Sequence, residues 1–204
     1  MTGEYKNKKM EEIKMNKNKL TGKDLINIGI YSAIYFVVVF IIAMLGIYPM
    51  LVVLCPIIGG IPFMLFITKV KKFGMILIMS IIMGALMFVC GMGWYPLVIS
   101  IVTGLLAELV YKKGEYRSVK SAILAYGVFS IWVWANFLLL FLERDSYMAT
   151  RTESIGTEYV EALDKLMPNW MCPVLLVVCF VCGIIGGIIG KAMMKKHFEK
   201  AGIA

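Results

Sequence analysis

The sequence predicts an all-α membrane protein, a bundle of six transmembrane helices with both termini in the cytoplasm. Three observations lead there. Of the 204 residues, 60% are hydrophobic, against about 45–50% in an ordinary soluble domain. The apolar residues are gathered into long runs, as a bilayer solvent requires. Lysine and arginine crowd into alternate connections between those runs.

The N-terminal stretch, residues 1–23, reads as a basic cytoplasmic tail. The apolar run behind it is too long for a signal-peptide core and lacks a small-residue cleavage site, so it reads as an uncleaved first span, 24–46. Thr21 and Asp24 have the spacing of a capping box, which starts a helix. The second span is 48–68. Pro49, Pro56 and Pro62, with Gly59 and Gly60, predict that it is kinked or partly broken. Spans three to six are 74–90, 96–111, 119–142 and 173–190. The third and fourth are short for a hydrocarbon core of about 30 Å. Residues 143–171 form one long connection, and 191–204 a second basic tail. Six spans and their loops fill the chain, so one membrane domain is expected, with no separate soluble catalytic domain.

Charge gives the topology its direction. The two tails and the loops after spans two and four hold 18 of the 21 Lys and Arg residues. The other side has only Arg144, Arg151 and Lys165. The positive-inside rule puts the basic side in the cytoplasm, and an even number of spans agrees. The net charge of +8 is thus a topology signal distributed in short clusters, and no nucleic-acid-binding patch is expected.

Several chemistries are unsupported. No Gly-x-x-x-x-Gly-Lys-Ser/Thr phosphate loop is present. The one histidine, His197, falls in the C-terminal tail, so no intramembrane histidine cluster or Ser–His pair can form. Cys179 and Cys182 make a lone C-x-x-C on an apolar helix without further ligands, and read as small packing residues. No enzyme activity, cofactor or metal is expected. Glu108 lies near the cytoplasmic end of span four and is expected to snorkel. No charge is expected at mid-membrane, which argues against ion-coupled transport.

Polar and aromatic residues collect at the outer ends of the spans: Tyr48, Trp94, Tyr95, Asn136, Arg144, Asp145 and Trp170, with Glu143 and Asn169 beside them. Taken singly, each Trp or Tyr fits an interfacial aromatic belt. Taken together, with Gly91 and Gly93 permitting close approach, they fit a small-molecule pocket. Asn136 sits more than a turn inside span five, with Trp132 one turn before it, and its amide requires a partner. Arg144 and Asp145 are placed to pair with each other or to hold a polar ligand group. Within 143–171, Tyr159, Val160, Leu163, Leu166 and Met167 recur at helical spacing opposite Glu158, Glu161, Asp164 and Lys165. That amphipathic helix is either a lid over an outward pocket or a helix lying on the membrane surface. Small residues mark two faces. Gly183/Gly187 and Gly186/Gly190 make overlapping Gly-x-x-x-Gly pairs that suit packing inside the bundle. Gly29 and Ala33, four apart on span one, suit docking of another membrane subunit.

Four stretches, LTGKDLINIGIYSAIYF, CPIIGGIPFMLFITKVKKFG, GMGWYPL and GIIGGIIGKAMMKKHFEKAGIA, resemble the Trep_Strep family of bacterial membrane proteins. That family looks like substrate-binding (S) components of energy-coupling factor (ECF) importers. The resemblance implies an S-component-like six-helix bundle in the cytoplasmic membrane that captures a micronutrient at its outer face. The substrate would be vitamin-like or another flat aromatic compound, tetrapyrroles included. It also implies docking on a transmembrane coupling subunit that carries two ATPases. The family's Ala-x-x-x-Ala docking motif would fall at Gly29-x-x-x-Ala33, where the glycine is a departure. The lid and pocket would be built from Tyr48, residues 91–95 and residues 143–170. The alternative is a membrane interaction or regulatory protein with no transported ligand.

Overall fold

The computed structural model describes residues 19–45 and 48–194, apart from the side chains of 154 and 155. Most of the two basic tails, Gly46 at the expected end of span one, and His197 lie outside the described residues.

Every regular element among the described residues is helical. Helix α1 (Gly22–Ala43) starts at the expected capping box, where the Thr21 backbone N–H donates to Asp24 Oδ2 at 2.7 Å. A 3₁₀ turn (Tyr48–Met50) leads into α2 (Leu51–Ile67). Then come α3 (Met75–Val89), α4 (Tyr95–Lys113) and a fifth pass made of α5 (Val119–Ser130), α6 (Trp132–Ala135) and α7 (Leu138–Leu142). Helices α8 (Arg144–Ile155) and α9 (Thr157–Leu166) form the long connection, and α10 (Met171–Met193) is the last pass.

Among the described residues, four stretches are long and apolar enough to cross a membrane: Gly22–Ala43, Tyr48–Ile67, Tyr95–Lys113 and Met171–Met193. The expected third and fifth spans fall short as single helices, at Met75–Val89 and Val119–Ala135. Fifteen residues rise only about 22 Å at 1.5 Å each. The fourth pass extends one residue before and two beyond the sequence boundaries 96–111, with Pro96 in its first turn.

Two local expectations are corrected. Pro56 and Pro62 do not break α2, which is helical from 51 to 67; the interruption comes before it, in the 3₁₀ turn that holds Pro49. Tyr126 Oη donates to the Pro56 carbonyl at 2.6 Å, an added satisfaction of backbone beside a proline. Glu108 does not snorkel. It is fully buried, and its Oε2 accepts the backbone N–H of Ile76 at 2.8 Å and of Leu77 at 3.3 Å. Those are N–H groups of the first turn of α3, whose N-cap is Gly74 and brings no side chain. The carboxylate therefore caps a neighbouring helix from α4, where free donors and the positive helix end attract it.

The passes run up and down, which the contacts at each end establish. Lys72, after α2, bonds Asp24 at the start of α1 at 2.8 Å. Glu108 near the end of α4 meets the start of α3. At the opposite end Tyr95 Oη donates to Glu143 at 2.8 Å, and Trp134 Nε1 to the Cys172 carbonyl at 2.8 Å. One end thus gathers the basic loops, as the charge pattern requires.

Small residues set the closest approaches. A Cβ on Gly60 would run into the backbone of Gly186, and one on Gly186 into the Pro56 and Ile57 backbone. The Gly-x-x-x-Gly residues of α10 are therefore internal, seating that helix against α2 and α5. An equivalent seam joins α3 to α4, where Ser80 Oγ donates to the Ser100 carbonyl at 2.6 Å and Gly84 and Gly104 face serines.

Candidate functional site: a small cavity at the less basic end

Helix α1 buries Ile28, Ser32, Tyr35, Val39 and Ile42, a stripe at spacings of three and four that turns two polar residues inward. The fifth pass meets this stripe where its helix is interrupted. Asn136 causes the irregularity: its Nδ2 donates to the carbonyls of Trp132 and Val133, both at 3.1 Å, in competition with the helix ladder. The backbone there falls into i→i−3 bonds, Asn136 to Val133 and Phe137 to Trp134. The amide thus finds its partner in its own helix, while Oδ1 stays buried without one.

Between these elements is a cavity of about 70 Å³, walled by α1 (Val39, Phe40, Ala43), by Tyr48, Leu51 and Cys55, by Met87 and Met92, and by Trp132, Val133, Asn136 and Phe137. Tyr48 packs on Phe137 with ring centroids 4.7 Å apart. Among the described residues, five buried polar side-chain atoms have no hydrogen-bond partner: Ser32 Oγ, Tyr35 Oη, Tyr48 Oη, Trp132 Nε1 and Asn136 Oδ1. The last three belong to cavity-lining residues. Tyr35 Oη lies near Tyr126 and Trp132, but neither approach has hydrogen-bond geometry. A buried polar group without a partner costs about 1–3 kcal/mol, so this set is a local cost in stability, while the surface of the cavity itself is apolar. No charged side chain lines the cavity.

The 143–170 segment packs on this end of the bundle without lining the cavity. It holds the short amphipathic helix that the periodicity predicts, at Thr157–Leu166, and before it a second helix, Arg144–Ile155, that was not expected, with the corner at Gly156, whose φ of 102° is the left-handed region that glycine tolerates. Tyr147, Leu163 and Met167 are buried in the same core as the bundle, and Val160 is buried as well. Tyr159 and Leu166, expected inward, are exposed. Tyr48 Oη lies in the neighbourhood of Tyr147, Arg151 and Tyr159 of the segment. Arg144 ties α8 to α9 and to the loop that follows. Its guanidinium donates to Asp164 Oδ1 at 2.6 and 2.9 Å, to the Asp164 and Met167 carbonyls at 3.0 and 2.8 Å, and to Asn169 Oδ1 at 3.2 Å. Asp164, not Asp145, is its ion-pair partner.

The residues expected to form one pocket therefore divide into three groups. Tyr48 and Asn136 line the cavity with Trp132. Trp94 and Tyr95 stack on each other at 4.3 Å, with Trp94 half exposed and Tyr95 tied to Glu143. Arg144 and Asp145 sit at a shallow groove between α8 and α9, and Trp170 is exposed. Gly29 and Ala33 lie on the exposed face of α1, and a Cβ on Gly29 would meet nothing within 4 Å. Sequence reasoning missed Ser32 and Tyr35. Their signal is visible in retrospect: two polar side chains in register with Ile28 and Val39.

The fold defines a polytopic helical membrane protein with a small, apolar-walled cavity at its less basic end. The chain belongs to a family of hypothetical bacterial integral membrane proteins, Trep_Strep, whose model matches residues 22–200. No curated protein and no solved structure matches it.

Proposed function

We propose that this chain is the substrate-capture (S) component of an ECF-type importer in a bacterial cytoplasmic membrane. In this reading it crosses the bilayer six times, with both ends inside and the cavity facing out. It binds a vitamin-like or other flat aromatic compound, tetrapyrroles included, and docks through Gly29 and Ala33 on a coupling subunit driven by two ATPases. It is a binder and not an enzyme.

The observation that carries the reading is the cavity at the end away from the basic loops, walled by aromatic and aliphatic side chains among which Tyr48, Trp132 and Asn136 each keep a buried polar atom without a partner. Aromatic and aliphatic walls suit a flat, largely apolar ring. About 70 Å³ accommodates roughly two waters, whereas ligand pockets run to about 300–1,000 Å³. Capture on this reading requires the cavity to widen. The exposed small-residue face of α1 suits a partner helix.

Native mass spectrometry of the protein purified from its source membrane tests the capture step. A small molecule retained by the wild type and lost in Asn136→Leu supports it. Gly29→Leu with Ala33→Leu should abolish co-purification of a coupling subunit and leave the small molecule bound. A chain that retains no small molecule and recovers no coupling subunit is instead the membrane interaction or regulatory protein of the alternative.

A further inference from the structure

The basic end holds a larger cavity than the one lined by Tyr48 and Asn136. It is about 300 Å³ and opens between the ends of α2, α4 and α10 and the start of α5. Its floor is apolar, with Met64, Ile67 and Met194. Its polar wall is cationic, with Lys71, Arg117 and Lys191. The other cations described at this end include two that are engaged: Lys72 pairs with Asp24, and Lys112 lies over the Phe73 ring at 5.1 Å. Among the described residues, the three cations of the cavity have no ion-pair partner.

The wall is also built rather than loose. Glu115 and Tyr116, neither of them glycine, both have positive φ, 53° and 55°. Backbone in that region persists only where its surroundings impose it. Here Tyr111 Oη donates to the Tyr116 carbonyl at 3.0 Å, and Tyr116 Oη to Glu108 at 3.2 Å. Burial, with Glu108 beside it, pushes the Tyr116 phenol well above its ordinary range, so this strap stays protonated. The turn fixes the backbone from which Arg117 projects, and α5 begins just beyond it at its Ser118 cap.

We propose that this cavity binds the headgroup of an anionic phospholipid. A cationic rim over an apolar floor, at the end of a membrane bundle, matches a phosphate joined to an acyl chain. Free phosphate would use the rim alone and leave the floor uncovered. The inference rests only on the chain's being a membrane protein, and it stands or falls separately from the capture reading.

The test is lipid retention by the full chain in native mass spectrometry, after exchange into mixed phosphatidylglycerol and phosphatidylcholine. One phosphatidylglycerol should be retained in preference to phosphatidylcholine, and it should survive excess inorganic phosphate. Each basic residue near a lipid surface is worth about fivefold in binding. Lys71→Gln/Arg117→Gln/Lys191→Gln together should therefore weaken retention about a hundredfold, with Lys165→Gln at the opposite end unchanged. If the triple variant fails to fold, Arg117→Gln alone should show about a fivefold loss. Equal retention of the two lipids, or full retention by a folded triple variant, overturns the proposal. Displacement by inorganic phosphate overturns the lipid assignment. Loss of the preference on deleting residues 195–204 assigns the anion to the tail, and overturns the cavity as its site.

Discussion

Substituting Gly186 with alanine tests the packing that brings the two ends of the bundle into being. A Cβ there would lie 2.7 Å from the Ile57 carbonyl oxygen and 2.9 Å from Ile57 Cα, with the Pro56 carbonyl closer still. Ordinary contact begins at 3.4 Å, so clearing Ile57 Cα alone requires α2 and α10 to part by 0.5 Å, the difference between 3.4 and 2.9. These are backbone atoms and cannot rotate away. A gap of about 0.5–1 Å forfeits a quarter to a half of each contact along the seam, and Gly60 and Gly190 lie on the same seam. Overpacking of this kind costs about 1–3 kcal/mol. At about 2–4 °C per kcal/mol for a chain of this size, Gly186→Ala should melt about 2–12 °C below the wild type. Gly29→Ala is the matched control, because nothing lies within 4 Å of its Cβ. There alanine's better helix propensity, about 1 kcal/mol, should leave Tm unchanged or raise it. The assay is thermal unfolding of both variants in one detergent, followed by tryptophan fluorescence and by the surviving monodisperse peak. If Gly186→Ala melts with the wild type, or Gly29→Ala melts as low as Gly186→Ala, the inferred seam is wrong.

Two further outcomes follow from named bonds. Glu108→Ala strips the buried first turn of α3 of its acceptor, leaving the Ile76 and Leu77 N–H groups and the Tyr116 hydroxyl unmatched. At about 1–3 kcal/mol for a buried orphan, it should be among the most destabilising single changes, visible as a lower Tm; a wild-type melting curve would falsify the capping role. Arg144→Ala removes the tie between α8 and α9. Since Asp164 is more than half exposed, its ion pair is worth less than about 1 kcal/mol, and the Met167 carbonyl bond matters more. Amide hydrogen exchange over 157–167 should speed up with little change in global Tm, and unchanged exchange would show that the buried apolar residues hold the segment alone.

The sequence was most legible where the physics is local or one-dimensional. Hydropathy runs, the Thr21–Asp24 box, the basic loops and the glycine pairs of the last span were all readable, and the helices lie within a few residues of their expected positions. The interruption of the fifth pass was half legible: Asn136 advertised a need for a partner, but not that its own helix would supply it. The candidate site was read as one cluster because its residues share one end of the bundle, yet sharing an end does not make residues face one another.

Taken by itself, the sequence determined that this is a helical membrane protein with one basic end, because burial of apolar backbone in lipid and the placement of Lys and Arg depend only on what each stretch contains. The tertiary structure decided which polar groups find partners. Glu108 caps α3, Arg144 takes Asp164, and Ser32 and Tyr35 turn inward to join an unpartnered set with Tyr48, Trp132 and Asn136. Each of those outcomes depends on the rotation of one helix about its axis relative to its neighbours. Contacts between residues far apart in the chain set that rotation, and no single segment carries it.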